Sequence, residues 1–448
     1  MGRIYKLIMI NICIILICSL SGCKPNDITF ETTTSISSDK ISGKETEEML
    51  FTSEFEEYLK DYENYDYSPR KAITQEQFQL VLDSQRVVVI NDSDIPENYD
   101  YEKNIEPRSF ELGANKLLIL PESAENGTSG DYCYTIRKDG NAEITKYTGN
   151  EKNVIVPPEI VGFPVMYVGE FAFAECDEET LSPKETLSRI INEVTLPDTV
   201  VAVAANAFMG CKELKKVSLG NNLKYIGSGA FEFCYSLEAI NFPELTEVIG
   251  LKAFDNSGLT EVIVPKAVRY IGDSAFGSCN KLKKFELAGG KKNIGAGVIA
   301  GSAAQEIFFP TDLEILQGYG AFSESNLKKV EYASNMGNDA VIFAEMYRDC
   351  QKLEEITLPE NITQIGEYAF QNCRKLEEIR IPARVSKIGT WAFTQCYSLK
   401  DVYFGSADCV GIGDVGFGGQ IRYIHAPSGG NIEQYCSKQL LIKFVAMV

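Results

Sequence analysis

A solenoid of stacked coils is the fold class predicted for most of this 448-residue sequence, each coil a short β-strand plus a turn or short helix, with the strands aligned in a parallel sheet. Three observations predict it. From residue 168 onward one unit recurs: Ile-Gly, two variable residues, Ala-Phe, two more, Cys, two more, Leu. Its aromatic position falls at residues 208, 231, 254 and 276, then at Ile299, then at 322, 347, 370 and 393, so most steps are 22 or 23 residues, with one of 25. The segment Leu-x-x-Ile-x-Leu that closes each unit alternates apolar and variable positions, the pattern of a strand with one face buried. No unit of this length buries its own Phe, Leu and Ile, whereas stacked neighbours bury them for each other.

The chain opens differently. Arg3 and Lys6 precede a mostly apolar run from Leu7 to Leu20. That run is shorter than the ~20 residues a helix needs to span a bilayer, so residues 1–23 read as an export signal. Leu20-Ser21-Gly22-Cys23 resembles the bacterial lipobox, and the resemblance implies cleavage before Cys23 and a diacylglycerol on its thiol. Two acyl chains, at ~0.8 kcal/mol per buried methylene, suffice for stable attachment. The expected location is the extracellular face of the cell membrane, lipid-anchored rather than spanning.

Residues 24–44 are rich in Thr, Ser, Asp and Glu and read as a disordered linker. Residues 45–130 form a small acidic N-terminal region. From 24 to 130 there are 23 acidic and 10 basic residues, so much of the net charge of −20 lies ahead of the repeats. Helical spacing is expected over 45–61 and 74–82, and a strand over 86–91. The result is a small α+β unit or a loosely folded stalk.

Within the repeat, Ile226-Gly227…Ala230-Phe231…Cys234…Leu237…Ile240 and Ile365-Gly366…Ala369-Phe370…Cys373…Leu376…Ile379 are clear copies. The Gly allows a tight turn that a Cβ would obstruct, and the Ala-Phe pair supplies one small and one large core group per coil. Irregular coils are expected where residues 177–190 insert a polar stretch, where Asn256-Ser257 replaces the Cys region, around Ile299, and at the longer loop 333–340.

This unit resembles the BspA-like leucine-rich repeat family of bacterial surface proteins, which implies a leucine-rich repeat solenoid over about residues 131 to 430. It further implies opening cap hairpins over 131–167, repeats over 168–428 and a C-terminal cap over 429–448. The family also makes host extracellular proteins or neighbouring cells the expected targets, and adhesion or protein binding the expected role.

Several functions are excluded or disfavoured. A net charge of −20 without a Lys/Arg cluster disfavours nucleic acid. The single histidine, His425, cannot supply a His-based triad or a multi-His metal site. Seven cysteines, Cys176 to Cys396, fall on the repeat position and read as small buried hydrophobes with free thiols rather than as disulfides or metal ligands. Gly411-Ile412-Gly413-Asp414-Val415-Gly416 matches a dinucleotide fingerprint but sits one period after Ile388-Gly389, so it reads as a worn repeat with Phe417 in the aromatic slot. Acidic runs such as Glu45-Glu47-Glu48, and Asp92 with Asp94, read as solvated faces. No catalysis, cofactor or metal is expected, and the chain is expected to be a monomer.

Function is then expected on the surface. The middle residue of each Ile-x-Leu strand points outward, and among these Ile263, Phe308, Arg380 and Tyr403 stand out. Aromatic and Arg side chains dominate binding hot spots, and exposed apolar groups on a solvated face need a reason. Tyr368 and Trp391, the only Trp, occupy the same slot of adjacent coils and could instead stack a sugar ring, the alternative being a carbohydrate-binding or cell-wall-associated module.

Overall fold

The computed structural model describes residues 108–112, 115–119, 123–177, 180–184, 190–333, 340–409, 411–412, 421–439 and 441–447. All lie in the second of two compact units, Met1–Arg70 and Lys71–Val448, or within its span. The export signal with Cys23, the linker, the helices and strand expected before residue 92, and Phe417 lie outside the described residues.

The repeats form a parallel β-solenoid. Each coil contributes to two ladders. One is built from the Ile-x-Leu strands, such as Glu261–Val264 beside Lys284–Leu287, with Ile263 opposite Glu286, and Glu378–Ile381 beside Asp401–Phe404, with Arg380 opposite Tyr403. The other is built from two-residue strands at the Ile-Gly step, such as Tyr225–Ile226 between Ala202–Val203 and Val248–Ile249. This second ladder runs back into antiparallel opening hairpins, Ser123–Ser129, Tyr132–Arg137 and Ala142–Tyr147, the last of which pairs in parallel with Phe163–Val168.

The expectation of a turn or short helix in each coil resolves into a turn. Among the described residues the only α-helix is Asn431–Ser437, in the C-terminal cap, which packs beside the last strand, Lys443–Met447. Where a helix could have formed, the backbone takes a left-handed residue just before Ala-Phe and another three or four residues later. The first slot holds Asn206, Gly229, Lys252, Ser274, Tyr368 and Trp391, all at φ between 50 and 61°. Such residues cannot continue a right-handed helix.

The Gly of Ile-Gly serves close approach rather than a left-handed turn. A Cβ on Gly250 would lie 2.6 Å from the carbonyl carbon of Gly227, and one on Gly389 would lie 2.4 Å from the backbone nitrogen of Glu367. The coils are in backbone contact along this column, and only Gly permits it.

The core is a column of aromatic rings. Phe173, Phe208, Phe231, Phe254 and Phe276 stack with centroids 4.8 to 5.3 Å apart and planes within 11° of parallel. Phe322, Tyr347, Phe370 and Phe393 form a second column with spacings of 5.2 to 5.9 Å. Burying each ring stabilises the fold by ~1.5–3 kcal/mol and stacking adds ~0.5–1.5 kcal/mol. Ile299 fills the gap between columns as a fully buried aliphatic, so that coil keeps its path.

The cysteines of the repeat are buried and free. Six of the seven, Cys211, Cys234, Cys279, Cys350, Cys373 and Cys396, have a task the sequence pattern does not reveal: the thiol donates to the carbonyl of the aromatic residue one coil earlier. Cys234 reaches Phe208 O at 3.3 Å, Cys279 reaches Phe254 O at 3.2 Å and Cys396 reaches Phe370 O at 3.0 Å. Where Ser257 replaces Cys, its hydroxyl contacts Cys279 Sγ at 3.2 Å, so the slot stays polar and filled. Burial pushes the Cys279 thiol up to about 11 and Cys350 to about 12, which suppresses thiolate chemistry. Gly411–Ile412 pairs in parallel with Lys387–Ile388, as a worn repeat requires.

Candidate functional site

The Ile-x-Leu ladder presents two outward rows, because side chains alternate along each strand. In Glu378–Ile381, Ile379 and Ile381 enter the core while Glu378 and Arg380 point out. Neighbouring strands lie ~4.8 Å apart, so equivalent side chains of adjacent coils are in contact distance. The first row carries charge: Glu193 opposite Lys216, Glu261 opposite Lys284, and Glu306 opposite Lys329. Lys284 bonds Glu261 and lies 3.1 Å from Glu286, and these hydrogen bonds hold its ammonium above the ordinary value. Lys329 makes a 2.8 Å pair with Glu331.

The second row contains all four residues expected to bind a partner. Ile263 and Phe308 are 49% and 53% exposed, unusual for large apolar side chains on a charged face. They are two strands apart, with Glu286 on the strand between. Arg380 and Tyr403 are brought together, the guanidinium carbon lying 4.4 Å from the ring centroid. The four are therefore two groups on one face rather than one cluster.

His425 joins the second group. Its ring stacks on the other side of Tyr403 at 4.2 Å and 14°, and its Nε2 lies 2.8 Å from Asp401 Oδ1. Tyr403 is thus clamped between a guanidinium and an imidazole, which fixes its rotamer. Arg380 also approaches Glu378 at 3.4 Å while its side chain stays 71% exposed. Sequence reasoning used His425 only to exclude catalysis. The signal for its role was the period: it lies 22 residues after Tyr403, the outward place of the next strand. Ile155, 75% exposed at the start of the same row, was also missed; its strand precedes the regular repeats and pairs with Glu193–Thr195.

Tyr368 and Trp391 lie away from this face, on the left-handed turns. Their ring centroids are 5.2 Å apart with planes 52° from parallel, and both side chains are half-buried. The pair is a contact between adjacent coils that leaves part of each ring accessible.

The face carries a depression of about 600 Å³ where the Phe231 coil has only an isolated bridge at Ala239 instead of a strand; it is lined by Lys216, Ser218, Glu238, Asn241, Phe242 and Pro243. Among the described residues no group of three or more His, Cys, Asp or Glu could hold a metal ion, and no helix is long and apolar enough to cross a membrane.

Comparison with known proteins agrees with this architecture. Residues 158–257, 187–303, 247–340 and 318–442 match the family described as BspA type leucine rich repeat region, in six copies. Among solved structures the chain is similar to a leucine-rich repeat protein from Bacteroides ovatus, at 20% identity over 74% of this chain and 100% of that one, with a TM-score of 0.30. It is similar to a leucine rich cell surface protein from Faecalibacterium prausnitzii, at 23% identity over 64% and 96% of the two chains and a TM-score of 0.30. It is also similar to the pneumococcal vaccine antigen PcpA, at 15% identity over 73% and 100%, with a TM-score of 0.34. No curated protein matches the sequence.

Proposed function

The chain belongs to the BspA-type leucine-rich repeat family, and on that premise we propose that it is a cell-surface lipoprotein, anchored through Cys23, that binds another protein through the outward face of its strand ladder and performs no chemistry. The observation that carries the binding role is the second outward row. It offers two exposed apolar side chains, Ile263 and Phe308, and the preordered Arg380–Tyr403–His425 stack on one rigid surface. Such groups lose little conformational entropy on contact, which is what makes aromatic and Arg side chains effective anchors. The lipobox resemblance at Leu20–Cys23 supports the anchor, and the family supports an extracellular location and an adhesive role.

Alanine replacement of Phe308, Arg380 and Tyr403 together tests the binding role: a partner crosslinked to the chain on cells is expected to be lost, and its full retention would overturn the face assignment. Replacement of Cys23 by Ser is expected to abolish incorporation of labelled palmitate and to release the protein from membranes. A glycan-binding role is the second reading, favoured by the side-by-side rings of Tyr368 and Trp391. Since Trp391 is the only indole, a glycan bound there must change the protein's tryptophan fluorescence, and a glycan panel that leaves it unchanged eliminates that reading.

A further inference from the structure

The Ile-Gly ladder changes character along its length. Its outward place is the residue before each Ile or Val of the two-residue strand, and in register these are Tyr167, Ala202, Tyr225, Val248 and Tyr270, then Asn293; further on come Val341, Gln364 and Lys387. The first five are apolar or aromatic, and the later ones are mostly polar. Gln364 and Lys387 are exposed, as a solvated face requires. Val248 is instead 1% exposed, although its neighbour Ile249 takes the inward place and alternation turns Val248 away from the core. Tyr167, Ala202 and Tyr225 close over one another with Met166 and Val201, but Val248 belongs neither to that group nor to the main core. The rings of Tyr225 and Tyr270 flank it along the row, and only something laid across the sheet shuts off the outer end of such a side chain.

A segment that needs a surface lies beside it. Strands Arg108–Leu112 and Asn115–Ile119 pair antiparallel, with Phe110 opposite Leu117, and make a two-stranded sheet of their own. Their sequence alternates: one set of places holds Phe110, Leu112, Leu117 and Ile119, the other Ser109, Glu111, Lys116 and Leu118. An isolated pair of strands is marginal in water at best and needs packing against another element. Strand Asn115–Ile119 comes within 8 Å, Cα to Cα, of Tyr270–Ile271, the strand next to Val248. The inner side of that ladder is filled by the core, so the approach is from the outer side.

We propose that the strand pair of residues 108–112 and 115–119 is a strap docked on the outer side of the Ile-Gly ladder over Tyr225, Val248 and Tyr270, and that this contact, in place of a free stalk, fastens the region ahead of the repeats to the solenoid. Two features that are each costly alone then explain one another: an outward apolar row, and a pair of strands with no third strand. The docked ladder is not the one that carries Phe308 and Arg380, so the strap and the binding face are independent of each other.

Amide hydrogen exchange of the full chain, read by mass spectrometry on fragments covering residues 108–119, tests the strap. In the parent these amides are expected to be protected. Val248→Thr with Tyr270→Thr keeps residues that favour strands while removing the apolar surface, and is expected to speed their exchange by about tenfold or more, the effect of ~1.4 kcal/mol. Fragments from the coils around Phe370 are expected to exchange as in the parent, which shows that the array is still folded. Phe110→Ser with Leu117→Ser changes nothing in the solenoid and is expected to release the same amides and to speed tryptic cleavage after Lys116. Gln364→Thr with Lys387→Thr, on the uncovered part of the same ladder, is expected to leave residues 108–119 protected. Amides of 108–119 that exchange in the parent at the rate of an unstructured chain overturn the proposal. So does protection that is lost in the Phe110 and Leu117 variant yet kept in the Val248 and Tyr270 variant, since the strand pair would then be stable without the ladder.

Discussion

Glu232 follows Phe231 on its coil and is buried. Burial pushes its carboxyl up from 4.5 to about 7; the Lys252 ammonium opposes the shift and the Asp255 carboxylate adds to it. Between those two values the folded chain keeps a proton that the unfolded chain has released. Stability linked to this group is therefore complete below pH 4.5 and declines as pH rises through about 7. At ~1.36 kcal/mol per pH unit, the shift corresponds to about 3 kcal/mol lost at alkaline pH. Glu232→Gln keeps the shape and removes the charge. It is expected to exceed the parent by about 3 kcal/mol at about pH 8 and by almost nothing at about pH 4, read from urea unfolding of both proteins across that range. Raised carboxyls elsewhere, such as Asp273, act on both proteins and cancel in the difference. A difference that stays constant with pH, or a variant less stable than the parent at about pH 8, would refute the claim that desolvation dominates at this site.

Lys292 gives the opposite slope: it is fully buried, its Nζ donates to Pro265 O and Val268 O at 2.9 and 2.8 Å, and burial pushes it down from 10.5 to about 8. The unfolded chain then holds the extra proton between those values, so the stability of the parent relative to Lys292→Met is expected to rise by about 3 kcal/mol as pH increases from 8 to 10.5, measured by the same unfolding assay. Phe231→Ala removes stacks at 5.0 and 5.1 Å on both sides and is expected to cost ~3–5 kcal/mol by thermal or chemical unfolding. Gly250→Ala places a methyl 2.6 Å from the Gly227 backbone and is expected to be more destabilising than a typical surface change, by ~2 kcal/mol or more in the same assay. The repeat thiols are expected to be inert to a colourimetric thiol reagent in native buffer and to react together once denaturant is added, since each is buried.

The architecture was legible because its signal is repeated. A Phe every 22 or 23 residues has one economical explanation, and the stacked rings from Phe173 to Phe276 are that explanation in three dimensions. The local conformation was less legible. The Gly at Ile-Gly invited a turn, whereas the left-handed turns fall on Asn206, Lys252, Tyr368 and Trp391, residue types that carry no common signature. The site was read in part. Alternation within a strand plus the period placed Arg380 and Tyr403 on one face, but charge alternation between coils is visible only when the first row is read down the ladder. The period places His425 22 residues after Tyr403, but its contact with Asp401 crosses from the second outward row to the first and joins residues 24 apart on the chain, which no spacing within one row reveals.

The interruption at Ile299 has a mechanical corollary. Phe276 and Phe322 flank a rung where ring gives way to aliphatic, and the same rung houses Lys292, the one fully buried ammonium among the described residues. In a molecule where every layer touches only its neighbours, the load-limiting joint is the layer with the poorest lateral grip. Tension applied along the stack would concentrate there, so the repeat array should part first at the crease between its two aromatic spines, leaving each spine whole.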